Sequence, residues 1–327
     1  LVNITGTGAN GDTDNDGVLL TDMGSQVASI DGDVTIVGRG GATAMGTGNQ
    51  GVEITASAQI NITGAADVIV NGTAGANTVE GVLITGGSVV GDNNAGHDAT
   101  GFIILDANAG ELEINNSTVR TSAPAASTRR ILLSGNSIQL VGSTIQANSL
   151  GAGATRGQGE IVAAPDTGTV NISLGAGAAA GFALTDVELN QLEARIVRIG
   201  SADILTPGNT PLLTNQNGAS VNGGTLSQPF ATGTQSTITV TGAFTPDAEF
   251  ATDLFQLRTR DITNAAATDN IAINGNLNLQ TTGAGRHFEA YAGLDITQGN
   301  SADVTTGSAA DDKAHVDIAV RDRHVHY

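Results

Sequence analysis

Short runs of β-branched residues, each closed by a glycine corner and none long enough for a helix, recur along the first half of this chain. Between Gly51 and Gly87 stand Val52-Glu53-Ile54, Gln59-Ile60-Asn61-Ile62, Asp67-Val68-Ile69-Val70 and Val82-Leu83-Ile84, separated by Gly, Ala, Asn and Thr. A strand this short cannot bury a face alone, so the unit must gain stability by stacking on copies of itself. The recurrence is concrete. A glycine leads an apolar triplet at Gly17, Gly51, Gly81 and Gly101, and Arg130 leads one without the glycine, giving steps of 34, 30, 20 and 29 residues. A second strand follows a turn at Val34-Thr35-Ile36-Val37, Glu111-Leu112-Glu113-Ile114 and Ser137-Ile138-Gln139-Leu140, so one coil carries two or three strands. Coils of roughly 20 to 30 residues predict about 11 to 16 turns and a rod of about 50 to 75 Å.

The interior of such a stack has to be aliphatic. The 327 residues include 45 Gly but 7 Phe, 2 Tyr, no Trp and no Cys, which leaves Val, Ile, Leu and Ala to fill it. Most glycines are expected at corners, where positive φ is useful. No Pro/Ser-rich linker divides the chain, so a single elongated body is expected. Its repeat style changes near residue 181, giving regular repeats over 1–180 and a more irregular continuation over 181–327. The net charge of −19 opposes binding to nucleic acid or anionic headgroups and favours cations. No apolar run approaches the roughly 20 residues of a membrane span. Leu1 opens directly into a strand with no basic or apolar leader, which suggests an internal or processed piece of a larger molecule.

In chain order, the first motif with chemistry is Asp12-Thr13-Asp14-Asn15-Asp16-Gly17, the DxDxDG opening of a calcium loop. Its closing glutamate is missing, since Met23 stands at the twelfth position, and Val18-Leu19-Leu20 reads as a strand. Asp12, Asp14 and Asp16 therefore stand as candidate calcium ligands beside the plainer reading of an Asp/Asn-rich corner. His97 and Asp98 fall in a polar excursion read as a solvated loop. Asn-x-Ser/Thr triplets at Asn3, Asn61, Asn71, Asn115, Asn116 and Asn171 suit stacked Asn/Thr ladders as well as glycosylation.

The phrases ITGTGANGDTDNDGVLL, GNQGVEITASAQINITG and GVLITGGSVV resemble the repeats of filamentous-haemagglutinin-like passengers of type V (autotransporter and two-partner) secretion. The segment from Gly181 to Gly200 is similar to a second phrase of such proteins. The resemblance covers about half the chain and implies a right-handed parallel β-helix, exported unfolded and folded outside the cell, serving in adhesion, aggregation or as a stalk. The second phrase also has local logic. Thr185 and Glu188 form a capping-box pattern, and Leu184, Val187, Leu189 and Leu192 lie near helical spacing, so one helical turn is expected within the coil. Asp186 and Glu188 could be imagined as a carboxylate pair for glycoside hydrolysis. Their place in a helix's first turn is the stronger account.

The last fifteen residues hold three of the five histidines. His324 and His326 share a strand face, with Asp322 as a third metal ligand, or the segment is a charged cap over an open coil end. The alternating residues Val2 and Ile4 at one end, and Val316, Ile318 and Val320 at the other, suit capping or a head-to-tail subunit joint. The expectation is a non-enzymatic extracellular or cell-surface β-solenoid needing no cofactor apart from candidate calcium. Its partners would be its own copies or a longer parent chain, and a surface carbohydrate or protein. Two alternatives come from other classes: a polysaccharide-acting β-helix enzyme, and a calcium-dependent carbohydrate-binding module.

Overall fold

The computed structural model describes residues 1–11, 13–42, 46–64, 66–92, 101–122, 130–149, 159–166, 170–176, 181–200, 237–244, 254–259, 270–279, 287–292, 295–300, 302, 304–305, 315–320 and 325–326. Among them nearly every element is a strand, and the sheets are parallel. In the first half the chain visits three sheets in rotation. Val2–Thr7, Val34–Arg39, Val68–Thr73, Ile103–Asp106 and Arg130–Ser134 lie in the first. Val18–Leu20, Val52–Ile54, Glu80–Ile84, Glu111–Asn115 and Ser137–Val141 form the second. Gln26–Ser29, Gln59–Ile62, Val89–Gly91, Thr118–Ser122 and Thr144–Ser149 belong to the third. Each return to the first sheet adds one rung, a connectivity compatible with a β-helix.

The first sheet runs on through Glu160–Ala164, Ile196–Gly200, Leu254–Arg258, His287–Ala292 and His315–Val320 to ten strands. Its register is continuous. Val2, Val34, Val68, Ile103, Ile131, Ile161, Val197, Phe255, Phe288 and Val316 form one column. Ile4, Ile36, Val70, Leu105, Leu133, Ala163, Ile199, Leu257, Ala290 and Ile318 form another. Successive rungs lie 28 to 36 residues apart, except for the 58 between Val197 and Phe255. The coils are thus longer than expected and the rungs fewer, and ten strands stack to about 43 Å.

The uneven step of 20 in the sequence also has a cause. Gly17, Gly51 and Gly81 precede paired strands of the second sheet, whereas Gly101 and Arg130 lead into the first. One phrase serves two sheets. The leading glycines are there for close approach rather than for positive φ: a Cβ on Gly17 would lie 2.1 Å from the Arg39 amide nitrogen and one on Gly51 2.2 Å from that of Thr73, while on the facing strand a Cβ on Gly38 would lie 1.9 Å from the Gly51 carbonyl oxygen. Where the chain turns from the first sheet to the second, two backbones touch and no side chain fits between.

The two interior columns are buried from Val34 to Phe288 and from Ile36 to Ala290, and in Ile103–Asp106, Arg130–Ser134 and Glu160–Ala164 the other face of the first sheet is covered as well. Burying each Val, Ile or Leu contributes about 1.5–3 kcal/mol. The first half is aliphatic as expected, but Phe182, Phe244, Phe255 and Phe288 fill the second, with ring centroids 5.9 Å apart for Phe244 and Phe255 and 6.2 Å for Phe255 and Phe288.

The second sheet stops at Ser137–Val141, where Phe182–Leu184 packs and a fourth sheet begins. That sheet runs Phe182–Leu184, Ile172–Leu174, Ile238–Val240, Ile271–Ile273, Ile296–Gln298 and Val325–His326. Ile172–Leu174 lies one rung beyond the strand that follows it in sequence, so the chain doubles back here before resuming its advance. Instead of a sixth strand, the one-turn helix Asp186–Leu189 sits beside the end of the second sheet. It carries the expected capping box, with the Thr185 amide donating to Glu188 Oε2 at 2.8 Å and the Glu188 amide to Thr185 Oγ1 at 3.4 Å. Glu188 Oε1 accepts from the Leu140 amide at 3.1 Å. Gln191 accepts from the Ser143 amide at 2.7 Å and donates to the Leu140 carbonyl at 3.0 Å. Side chains thereby satisfy a strand edge that lacks a strand partner.

Candidate functional site

The chemistry gathers along the outer face of the second sheet. Alternation sends Val52 and Ile54 into the core and leaves Glu53 outside, and it does the same for Glu113 between Leu112 and Ile114. In register these outward positions read Leu19, Glu53, Leu83, Glu113 and Gln139, with Glu80, Glu111 and Ser137 forming a neighbouring row.

Of the candidate calcium residues, Asp12 lies outside the described residues. Asp14 adopts φ 54°, and its amide donates to the Thr47 carbonyl at 3.2 Å. Asp16 Oδ1 accepts the Gln50 amide at 2.8 Å, and the Asp16 carboxyl also hydrogen-bonds Glu53 in the coil above. Beside it Asn49 Oδ1 accepts from the Asn15 amide and side chain, both at 3.1 Å, while Asn49 Nδ2 donates to the Gly46 and Ala76 carbonyls at 2.9 Å. The loop thus stitches three coils together. Burial, then repulsion from and hydrogen bonding to Asp16, then Asp14 and Glu80, push the Glu53 carboxyl up to about 7. Asp16 is raised as well, chiefly by burial. Asp16 and Glu53 therefore hold a proton near neutrality, as two crowded carboxylates do.

Two coils on, single carboxylate oxygens of Glu80, Glu111 and Glu113 lie within 4.8 Å of one another. Ser137 Oγ donates to Glu111 at 2.8 Å and Asn115 Nδ2 to Glu113 at 3.3 Å. Burial raises the Glu113 carboxyl, with Glu111 and Glu80 adding repulsion against the lowering effect of Asn115. Glu111 also lines a groove of about 590 Å³ with Thr73, Thr78, Asn108, Asn136 and Ser137. Behind it Asp106, nearly buried, accepts from Asn71 and from the Asn108 amide, each at 2.9 Å. Burial, with a contribution from Asp166, pushes its carboxyl up to about 7. The face as a whole offers oxygen acceptors, hydroxyls and amides, chemistry that takes up protons or cations and hydrogen-bonds polyols.

Sequence reading singled out Asp14 and Asp16 as candidate calcium ligands and passed over Glu53, Glu80, Glu111, Glu113 and Asp106. The available signal was Gly-Val-Glu-Ile and Gly-Glu-Leu-Glu-Ile, whose alternation already sets a glutamate outside. Bringing those glutamates together needs the coil length, which the phrase alone misstates.

The remaining candidates are scattered. Glu188 is spent on the cap and on Leu140, and burial raises the Asp186 carboxyl. His97, Asp98, Asp322 and His324 lie outside the described residues, and His326 lies in the short strand Val325–His326. Val2 and Ile4 pack against the interior cluster from the first rung, while Val316, Ile318 and Val320 fall in the tenth strand of the first sheet. Among the described residues no helix is long and apolar enough to cross a membrane. No protein-family model, curated protein or solved structure matches this chain.

Proposed function

We propose that this chain is an extracellular structural or adhesive right-handed parallel β-helix, part of a bacterial surface filament, stalk or adhesin of the type V passenger kind. The observation that carries the reading is the ten-stranded first sheet, whose two interior columns keep register from one end to the other. Such a stack makes length and lateral surface, and its rungs cooperate only with their neighbours. A stalk or adhesin uses both properties: rigidity along the axis, and an outer face that varies without disturbing the core. Its partners are then further coils, as copies of itself or of a longer parent chain, and a carbohydrate or protein on another surface. The acidic composition argues against nucleic acid.

The groove beside Glu80, Glu111 and Glu113 favours a second reading, a calcium-dependent carbohydrate-binding module in which oxygen ligands and a polyol share one cation. Electron microscopy of the purified chain with and without chelator tests the pair. Rods or fibres indifferent to chelator, with no retention on immobilised polysaccharides, support the structural reading; chelator-sensitive retention supports the binding module. Compact particles without an axis overturn both.

A further inference from the structure

We infer that the one-turn helix Asp186–Leu189 is a latch that holds two neighbouring strands in inverted order, and that releasing it lets Phe182–Leu184 and Ile172–Leu174 exchange places; this goes beyond the function proposed above and does not depend on it. The first observation is the inversion itself. The first, second and third sheets add their strands in the order of the chain, and the fourth does so from Ile238–Val240 onward. Only Phe182–Leu184 and Ile172–Leu174 stand reversed among the described strands, the later one lying beside Ser137–Val141 and the earlier one next to Ile238–Val240. Strands laid down in sequence need no such return.

The second observation is that the apolar pattern does not choose between the two orders. Ile172-Ser173-Leu174 and Phe182-Ala183-Leu184 share one register, with Ile172 opposite Phe182 and Leu174 opposite Leu184, and all four of those side chains are exposed by 1% or less. Exchange keeps the same residues turned inward and fills the same two rungs, so no other strand has to shift. A slip of one residue would turn the apolar set outward, whereas a trade of rungs does not. Two packings of one chain that differ by a few contacts make a bistable element.

The third observation is what does choose. Leu184 is followed directly by the N-cap Thr185, so the helix reaches Ser137–Val141 only while Phe182–Leu184 occupies the rung beside it. There Glu188 Oε1 accepts the Leu140 amide at 3.1 Å, Gln191 Oε1 accepts the Ser143 amide at 2.7 Å, and Gln191 Nε2 donates to the Leu140 carbonyl at 3.0 Å. Three hydrogen bonds at about fivefold each favour the observed order by about a hundredfold. One further contact is specific to this order: Asn171 Oδ1 accepts the Thr237 amide at 3.2 Å, where Gly181, its counterpart in the other strand, offers no side chain.

The chain has no cysteine, so strand order can be read directly by cross-linking. Neighbouring parallel strands lie about 4.8 Å apart, within disulfide reach, and strands two rungs apart lie about 9.6 Å apart, beyond it. In the full-length protein, refolded from urea and mildly oxidised, Ser173→Cys/Thr239→Cys reports the observed order and Ala183→Cys/Thr239→Cys the exchanged one. The control pair Ser173→Cys/Ala183→Cys should close in both. With the helix intact, the exchanged pair should close about a hundredfold more slowly than the observed pair. Glu188→Ala/Gln191→Ala should raise its rate about a hundredfold, and Gln191→Ala alone, which removes two of the three bonds, about 25-fold. Glu188→Gln keeps an acceptor for the Leu140 amide and should leave the rate within about twofold. A double variant whose exchanged pair stays open while the control pair closes overturns the latch. So does an equal release by Asn171→Gly, which would put the latch at the strand instead. If the double variant loses the control cross-link as well, Gln191→Ala decides by the same criterion.

Discussion

The coils before Ser149 and those after Gly159 share the first sheet but hold it together differently. In the first half the rungs are nearly uniform, the interior is aliphatic and the corners are fixed by touching backbones and by ladders such as Asn15, Asn49 and Ala76. In the second half phenylalanines enlarge the interior and the second sheet is replaced. On the face of the first sheet turned away from the core, the column of buried Ile69, Ile104, Leu132 and Val162 gives way after Val162 to Arg198, Gln256 and Glu289. Those polar side chains are joined. Arg130 Nε donates to Glu160 Oε2 at 2.7 Å, Arg198 reaches Glu160 Oε1 at 2.7 Å and Gln256 at 2.6 Å, and Gln256 meets Glu289. Burial lowers Arg198 to about 10 even with Glu160 beside it. Uniform coils need only repetition, whereas a departure from uniformity has to be held by specific partners.

The largest effect should therefore come from the second half. Glu160 is 4% exposed and neutralises two arginines, so Glu160→Ala leaves two buried cations and should cost about 3–5 kcal/mol in urea unfolding. Replacing the group together, as Arg130→Met/Glu160→Leu/Arg198→Met, should be close to neutral, because the desolvation cost leaves with the charges. A triple variant as unstable as Glu160→Ala would show that the network contributes more than mutual compensation.

The corresponding break in the first half is a single methyl group. Gly38→Ala sets a Cβ against the Gly51 carbonyl and should cost about 1–3 kcal/mol, since backbone must yield rather than side chain. Gly24 has positive φ (+97°) but open space around it, so Gly24→Ala should cost less, about 1 kcal/mol. The reverse order would mean that corner conformation, not close approach, is what the repeat glycines protect.

A smaller effect separates the halves by pH. Glu53 and Asp106 both have carboxyls raised to about 7, and both lie in the first half. A carboxyl raised on folding favours the folded state most when protonated. That stability is full below the unfolded values of 4.5 and 3.8 and is lost as pH rises through about 7. Glu53 is half-exposed and solvent screens it, so Glu53→Gln should reduce the loss between pH 4.5 and 7 by only about 1 kcal/mol. An unchanged slope in urea titrations across that range would place the proton elsewhere.

How much of this was legible from residues alone follows the same division. The strands Gln59–Ile62 and Ser137–Val141 and the capping box at Thr185 could be read directly, because period-two alternation and a three-residue cap are local signals. Coil length could not be read, since the same Gly-apolar phrase leads into two different sheets. The acidic row was hidden for the same reason: Glu80 and Glu111 are neighbours only once the coil is known to take about thirty residues. The doubling back at Ile172–Leu174 left no signal, because a strand carries no mark of the rung it will join.

The smallest expected effect tests the place where the two halves meet. Glu188 completes the cap of the one-turn helix and also accepts the Leu140 amide, while Gln191 holds the Ser143 amide and the Leu140 carbonyl. If these side chains stand in for a missing strand, Glu188→Ala should cost about 1 kcal/mol, the scale of a lost cap. Its signature should be local: faster hydrogen exchange at the Leu140 amide, little change at Ser143, and the opposite pattern in Gln191→Ala. Exchange that rises evenly along Ser137–Val141 in both variants would mean that the edge is protected by packing against Phe182–Leu184 instead. The turn would then be a connection between sheets rather than a substitute for a strand.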